Sequence, residues 1–458
     1  MQPPASSSKG LLERALSVVT EVRPGEGATA VLLAVNVFVL LSAYYTIRPL
    51  RSALLLPVEI PLPGGRVMAG PEIQSYTGAI LAALFLVIVP LYSAFASRVD
   101  RIRLINRVTM FFVVTLIGFY FLARLQLSPT LVAVTFFLWV GVFNLMIIAQ
   151  FWSFANDLYT PEQGKRLFAI VGFGGSVGAI GGALIASNLI SRLGLLPMML
   201  LASAELLIAL GLTNFIHKRE QRRPKAVVDK TDEKPLSGAG GFSLVLGNRY
   251  LLLIGVLTLA VQLVNTNGNY ILNETLTETA RGAIAGGTTT ENEGQFIGSF
   301  MAGLDFWQNV LSMVIQFFLV SRIFKYLGIG GALFVMPAIS LISYGVFAFA
   351  PVLAFIRLTK IAENATDYSL QNTVRRALFL PTSREAKYKA LQAVETFFWR
   401  AGDMLSGVFT FVLIQGLALS VRSFAIVNIG IVIVWLVLAA SLARENRRLT
   451  AAAEPAAA

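Results

Sequence analysis

Long apolar stretches separated by short polar or charged ones set the pattern of this chain. The first begins at Ala28 and runs into YYTIRPLRSALLL, residues 44–56. Eleven more are predicted at 77–96, 105–123, 130–152, 167–189, 195–216, 250–272, 296–320, 329–350, 351–371, 391–416 and 423–443. Each is about as long as a helix needs to cross the roughly 30 Å hydrocarbon layer of a bilayer. The predicted fold is therefore an all-α polytopic membrane protein of twelve transmembrane helices. Residues 1–27 read as a polar N-tail with an interfacial helix at Leu11–Val19, and nothing in the tail has the build of a cleavable signal peptide. The charged, Pro- and Gly-containing segment HKREQRRPKAVVDKTDEKPLSGAGG, residues 217–241, reads as a linker. Residues 28–216 and 250–443 then form two six-helix halves, 217–249 the connection and 444–458 a C-tail. A faint repeat supports a duplication: AND at 155–157 precedes Pro161 and Lys165, as ATD at 365–367 precedes Pro381 and Lys387. Two parallel six-helix repeats are the major facilitator architecture, which places a substrate site between repeats near mid-membrane.

Composition agrees: 56% of the 458 residues are hydrophobic and the mean hydropathy is +0.71. Cysteine is absent, which excludes disulfides, thiolate catalysis and thiolate metal sites, and the single histidine, His217, lies in the polar linker. No metal site or cofactor is predicted. Most of the 37 lysines and arginines fall on one side if the N-terminus is cytoplasmic; the other side receives Arg48, Arg51, Arg66, Arg124, Arg192, Arg281 and Arg422. The positive-inside rule thus places both termini and the linker in the cytoplasm. The net charge of +12 follows from this topology and from attraction to anionic lipid headgroups, and calls for no nucleic-acid polymer as partner.

In GFGGSVGAIGG, Gly174, Gly178 and Gly182 fall four apart and present one small face for close helix packing. A phosphate loop would need different glycine spacing and a following Lys-Ser or Lys-Thr. The loop ASRVDRIRL carries Asp100, Arg101 and Arg103, loosely like the gating loop of facilitators; a plain cytoplasmic anchor reads equally well.

Charges inside the predicted spans are more telling, because each costs at least about 2.5–3.5 kcal/mol to place at the bilayer centre. In FIRLTKIAENATDYSLQN, Arg357, Lys360, Asn364, Asp367 and Gln371 recur at three- and four-residue spacing on one helical face, with Glu363 a turn from Lys360. The next span adds Glu395, Arg400 and Asp403 around Trp399, and the eighth adds Asp305 beside Trp307. Two readings stay open: structural ion pairs, or a polar substrate path in which Glu363, Asp367, Glu395, Asp403 and Asp305 serve coupling or gating. Arg48 and Arg51 lie three apart and share a face with Tyr44, while Pro49 removes a backbone donor. Two guanidinium forks suit phosphate or carboxylate oxygens; snorkelling to headgroups is the plainer alternative. Both are expected to lack a dedicated acidic partner. Lys360 with Glu363, and Glu395 with Arg400, are expected to form one rearranging charge network.

NVFVLLSAYYTIRPLRSALLL, FWSFANDLYTPEQGKRLFAIVGFGGSVGAIGG and NATDYSLQNTVRRALFLPTSREAKYKALQAVETFFWRAGDMLSG together resemble the ATP/ADP translocase (nucleotide transporter) family, and more closely its bacterial major-facilitator-type relatives. That resemblance implies nucleotide exchange, with binding of ATP or ADP, by alternating access in a bacterial inner membrane. It places Arg51 and Arg400 at basic positions of the family. Val140 and Asn269 stand where the translocases carry glutamates, which implies a selectivity different from theirs.

The candidate substrate-binding set is thus Tyr44, Arg48, Arg51, Asn269, Arg357, Lys360, Trp399 and Arg400, with a small anionic solute, a nucleotide by resemblance, as ligand and membrane lipid as surroundings. A monomer is compatible with all of this. The competing readings are a proton-coupled facilitator for another solute, a non-transporting receptor, and an intramembrane enzyme. The last finds no histidine cluster, no HExxH and no activated serine.

Single cysteines introduced into this cysteine-free chain test the topology. Residues within 217–241 should react with membrane-impermeant reagents only from the cytoplasmic side and Thr288→Cys only from outside; external labelling of the linker would contradict the assignment.

Overall fold

The computed structural model describes residues 11–17, 20–96, 99–221, 241–383 and 385–453. After a short helix α1 (Leu11–Leu16) come α2 (Gly27–Leu55), a hairpin of β1 (Glu59–Pro61) and β2 (Val67–Ala69), α3 (Gly70–Ala96), α4 (Arg101–Arg124), α5 (Pro129–Leu158), α6 (Pro161–Leu193) and α7 (Leu196–Gln221). Then follow α8 (Gly241–Gly247), α9 (Arg249–Ala285), α10 (Glu293–Val314), α11 (Val320–Ala332), α12 (Val335–Phe349), α13 (Leu353–Thr366), α14 (Asn372–Ala377), α15 (Leu391–Ala393), α16 (Trp399–Thr410) and α17 (Val421–Ala453). Five π-helical turns, Ile315–Leu319, Asp367–Gln371, Ala386–Ala390, Val394–Phe398 and Phe411–Gly416, join pieces from α10 onward. Among the described residues ten helices are long and apolar enough to cross a membrane. The expected twelve are not all met by that measure. The predicted ninth span is the shorter apolar α12, and the predicted tenth is α13, its π turn and α14, a rod rich in charge.

Several boundaries differ from the hydropathy reading, each for a physical reason. The seventh span continues to Ala285 although 265–281 is polar. Thr275, Thr277 and Thr279 donate to the carbonyls of Ile271, Asn273 and Thr275 at 3.0, 2.8 and 2.7 Å, so their hydroxyls are satisfied within the helix. The loop expected at 321–328 is helical up to Gly328, whose φ of 65° makes the break that only glycine tolerates cheaply. The linker ends in α8. The C-tail from 444 is the continuation of α17 as far as Ala453, held where Asn446 donates to the Tyr250 hydroxyl at 2.7 Å and Tyr250 to the Leu378 carbonyl at 2.7 Å. The interfacial helix spans Leu11–Leu16, while Val18 and Val19 lie outside the described residues.

Contacts group the chain into two compact units. One comprises Met1–Arg51, Tyr92–Asp232 and Gly298–Phe306; the other Ser52–Leu91, Glu233–Ile297 and Trp307–Ala458. In the first, the glycine face of α6 meets α2 as its spacing predicts. A Cβ on Gly174, Gly178 or Gly182 would overlap the backbone carbonyls of Ala34, Phe38 and Ser42, themselves four apart. The two backbones therefore approach as closely as small residues allow. The segment before α2 is fixed to α6: Val22 packs with Ala30, Leu167 and Ile170, and the Arg166 guanidinium meets Glu26 at 2.9 Å. Burial works to raise the Glu26 carboxyl, but hydrogen bonds from Arg166, the Arg23 backbone and Gln163, with the Arg166 charge, hold it below its ordinary value.

In the second unit, α9 packs along α16 and α17. A Cβ on Gly402 would press on the Leu259 carbonyl at 2.8 Å. The hairpin turns through Gly64 and Gly65, at φ 85° and 79°, and pairs Glu59 with Ala69 and Pro61 with Val67. Arg281 near the end of α9 binds Glu59 at 2.6 Å and Glu293 at 2.9 Å, tying the hairpin to the helices below it.

Gly178→Leu should lower stability by about 1–3 kcal/mol or more through overpacking. Gly211→Leu, where a Cβ meets nothing within 4 Å, should cost far less. Thermal unfolding of the two variants in detergent checks this, and equal losses would contradict the close α2–α6 contact.

Candidate functional site

Both units hold charge within their apolar helices. In the first, α2 continues unbroken through Pro49 and presents Tyr44, Arg48 and Arg51. Arg48 pairs with Asp305 at 3.0 Å, with side chains only 15% and 7% exposed. This corrects the expectation that Arg48 lacks a partner. A buried carboxylate and guanidinium stabilise each other only together, so each holds the other in place. The Arg48 guanidinium also lies 5.3 Å from the Tyr45 ring, and Tyr45 packs edge-on to Tyr44 at 5.1 Å. Arg51 lies 5.1 Å from the Phe137 ring. Among the described residues no acidic group lies within ion-pair distance of it. Phe137 adjoins a run in which Phe136, Trp139 and Phe143 stack at 5.9 and 5.3 Å. Val140 is fully buried in that apolar layer.

The residues of the ASRVDRIRL loop bind the ends of α4 and α5. Asp100 caps α4 by accepting from the Arg103 amide at 3.2 Å, and Arg101 pairs with Asp157 and donates to the Ser153 carbonyl at 2.8 Å.

In the second unit, Lys360 and Glu363 are fully buried and meet at 3.0 Å. Lys360 also donates to Asn265 at 3.1 Å, and Ser340 donates to Glu363 at 2.8 Å, so both charges are neutralised and hydrogen-bonded. Gly268 gives the lysine room: a Cβ there would stand 3.1 Å from its ammonium. Asn269 is half-buried on the same helix. Asn364 donates to Gln308 at 2.9 Å. Asp403 accepts from Gln262 at 2.7 Å, Thr266 at 2.9 Å and Arg400 at 3.4 Å, while the Arg400 guanidinium lies 4.4 Å from the Phe85 ring.

The expected network of Lys360 and Glu363 with Glu395 and Arg400 is not assembled. Glu395 faces Arg376 at 3.8 Å and Arg400 turns to Asp403, because each cation takes the acid within a turn or on the adjoining piece. Trp399 lies beneath Arg375 at 4.3 Å, and Trp307 is 54% exposed. Arg357 is half-buried, one turn before Lys360. The sequence reading missed Arg375, which it placed among loop cations and which is only 7% exposed; it also missed Asn265 and Glu205, whose carboxylate accepts from Ser42 at 2.6 Å.

This is a predominantly helical membrane fold, and solved transporters share it. A bacterial homolog of the human lysosomal transporter Spinster matches with a TM-score of 0.59 at 13% identity, over 94% of this chain and 99% of that one. An auto-inhibited POT family peptide transporter gives 0.61 at 13% identity over 92% and 97%, and the nucleoside transporter NupG 0.58 at 13% over 92% and 99%. In sequence, the chain is similar to ADP,ATP carrier protein 1 of Chlamydia trachomatis serovar D, 25% identical over 362 residues, which is 68% of this chain. The same carrier of Chlamydia muridarum is 25% identical over 365 residues. The match spans 66% of the carriers' own length, just under two thirds. No protein-family model matches the chain. The resemblance to the ATP/ADP translocase family, first read from three stretches, is thus present at the level of most of the chain.

Lys360→Met or Glu363→Gln alone leaves one buried charge unpaired and should cost about 3–5 kcal/mol, whereas the double variant should recover much of that loss. A double-mutant cycle of thermal unfolding measures the coupling, and simple additivity would show that the two charges do not neutralise each other.

Proposed function

We propose that the protein is a secondary transporter that moves an anionic phosphorylated solute, a nucleotide of the ATP/ADP kind, by alternating access of two six-helix halves in a bacterial inner membrane. On this reading it has twelve spans, cytoplasmic termini and the 217–249 linker between its halves, and it performs no covalent chemistry. The observation that carries the proposal is Arg51. Arg48, Lys360 and Arg400 are each matched by an acid, whereas Arg51 lies on an aromatic ring and, among the described residues, makes no ion pair of its own, its charge acting only at longer range on the Asp305 that Arg48 holds. A guanidinium so placed near the end of a membrane helix keeps its fork for an anion from outside the protein, and phosphate oxygens match that fork two at a time. Arg51 also lies in one of the stretches that carry the resemblance to nucleotide translocases. The carriers are named for ADP and ATP, and NupG is a nucleoside transporter, which supports a nucleotide among phosphorylated anions. Val140 and Asn269 in place of the translocases' glutamates favour a selectivity different from that of the carriers.

Arg51→Gln should weaken nucleotide affinity roughly 10- to 100-fold, the equivalent of one charge-assisted hydrogen bond of about 1.5–3 kcal/mol. Arg51→Lys should fall between Arg51→Gln and wild type, because it keeps the charge without the fork. Arg48→Ala should instead lower stability, because it strands Asp305. Counterflow of labelled ATP and ADP in proteoliposomes, with thermal unfolding alongside, separates the two effects. Nucleotide binding unchanged in Arg51→Gln would overturn the assignment.

A further inference from the structure

The π-helical turn Asp367–Gln371 lies in the same rod as the Lys360–Glu363 pair, one turn further on, yet its polar side chains are treated differently. The pair is closed on itself through Asn265 and Ser340. Asp367, Gln371 and Arg375 follow at four-residue intervals and are only 5, 2 and 7% exposed. Asp367 Oδ1, Gln371 Oε1 and Arg375 Nε are all buried without a hydrogen-bond partner. From α10, Gln308, fully buried and held by Asn364, adds an unpartnered Nε2. Three such atoms on one rod, and a fourth on α10 beside Asn364 of that rod, are expensive to leave unsatisfied, since each costs about 1–3 kcal/mol when desolvated.

The chemistry of the set says what satisfies it. Two of the atoms are acceptors and two are N–H donors. A bare metal cation would leave the donors unmet and repel Arg375. Water serves both kinds, and one carboxyl among waters is a place to hold a proton. π-Helical turns recur at functional sites because the extra residue redirects side chains off the regular helical face.

We propose that Asp367 is the protein's proton-coupling carboxyl, in a water-bridged site shared with Gln371, Arg375 and Gln308. The site takes up a proton from water onto the Asp367 carboxylate, giving the neutral acid, and releases it from there in the other half of the transport cycle. Other charges near it are accounted for. On its own rod, Lys360 and Glu363 cancel each other, Arg357 lies further back, Arg375 supplies the nearby positive charge and Arg376 faces Glu395. The packed π turn Ile315–Leu319 carries no titratable group, and the Arg322, Lys325 and Tyr326 side chains of the packed α11 are exposed. The conversion between the two charge states is the energy link that a pH gradient would drive. This inference rests on the transporter reading for its consequence, but not for its chemistry.

Asp367→Asn and Asp367→Glu test it in the full chain. Infrared difference spectra of the reconstituted protein on acidification should show a protonated-carboxyl band that Asp367→Asn lacks and Asp367→Glu restores. In proteoliposomes, labelled ATP should accumulate under an imposed pH gradient with wild type and Asp367→Glu. With Asp367→Asn accumulation should fall to the level seen without a gradient, while exchange of ATP at equal pH continues. A band that survives in Asp367→Asn, or gradient-driven accumulation that does so, overturns the proposal. If no variant moves ATP at all, the nucleotide reading fails separately and the infrared band still decides the fate of Asp367.

Discussion

Charge inside a hydrocarbon layer must be neutralised, hydrogen-bonded or useful, and the internal organisation of this protein follows from that constraint. Arg48 with Asp305, Lys360 with Glu363 and Arg400 with Asp403 each meet within 3.4 Å, and each pair draws further hydrogen bonds or an aromatic face around it. Not every buried charge follows the pattern: Glu205 and Glu274 each keep an oxygen unpartnered, and Arg375 a nitrogen. Arg51 rests on Phe137 without an acid, and Asp367 leaves an oxygen unsatisfied in a π-helical turn. Arg51, near the end of the helix that also bears the Arg48–Asp305 pair, and Asp367, among unpartnered donors and acceptors, carry the functional argument.

The uncharged part of the framework obeys a different requirement. Where lipid replaces water there is little hydrophobic drive between helices, so contact area and backbone approach decide which helices associate. The Gly174, Gly178 and Gly182 face lets α6 lie against the backbone of α2, the helix that presents Arg48 and Arg51. The placement of the candidate site thus depends on residues with no side chain at all, and the arginines are held to the first unit by Asp305 and Phe137 besides.

Most helices were legible from hydropathy, because a run of apolar residues long enough to cross a bilayer has few other uses. Its failures are equally physical. Hydropathy ended the seventh span at 272 because it counts Asn and Thr as polar without seeing that a threonine in a helix can satisfy itself on the preceding turn. It placed the eighth and ninth spans on either side of a loop, where the chain stays helical to the single break at Gly328. The hairpin around Gly64 and Gly65 was written in the turn residues but was too short to register among long helices. Within the candidate sites, one-helix spacing identified Lys360 and Glu363 as neighbours, since three residues apart on a helix fixes their geometry. Pairings between distant segments were beyond it: that Asp305 reaches Arg48, that Asn265 reaches Lys360, and that Arg375 leaves the loop to lie on Trp399. The π-helical turns carry no compositional mark, and one of them holds the unsatisfied Asp367 and Gln371 oxygens.

The central claim is that an arginine left without an acid recognises phosphate on a nucleotide-like solute. The most direct measurement is ligand-induced thermal stabilisation of the purified protein by ATP, ADP, adenosine and inorganic phosphate over a range of salt concentrations. Only a ligand that binds the folded state raises its unfolding temperature. ATP and ADP should stabilise the protein, less as salt rises, and adenosine should do little. Equal stabilisation by adenosine and ATP, insensitive to salt, would contradict it.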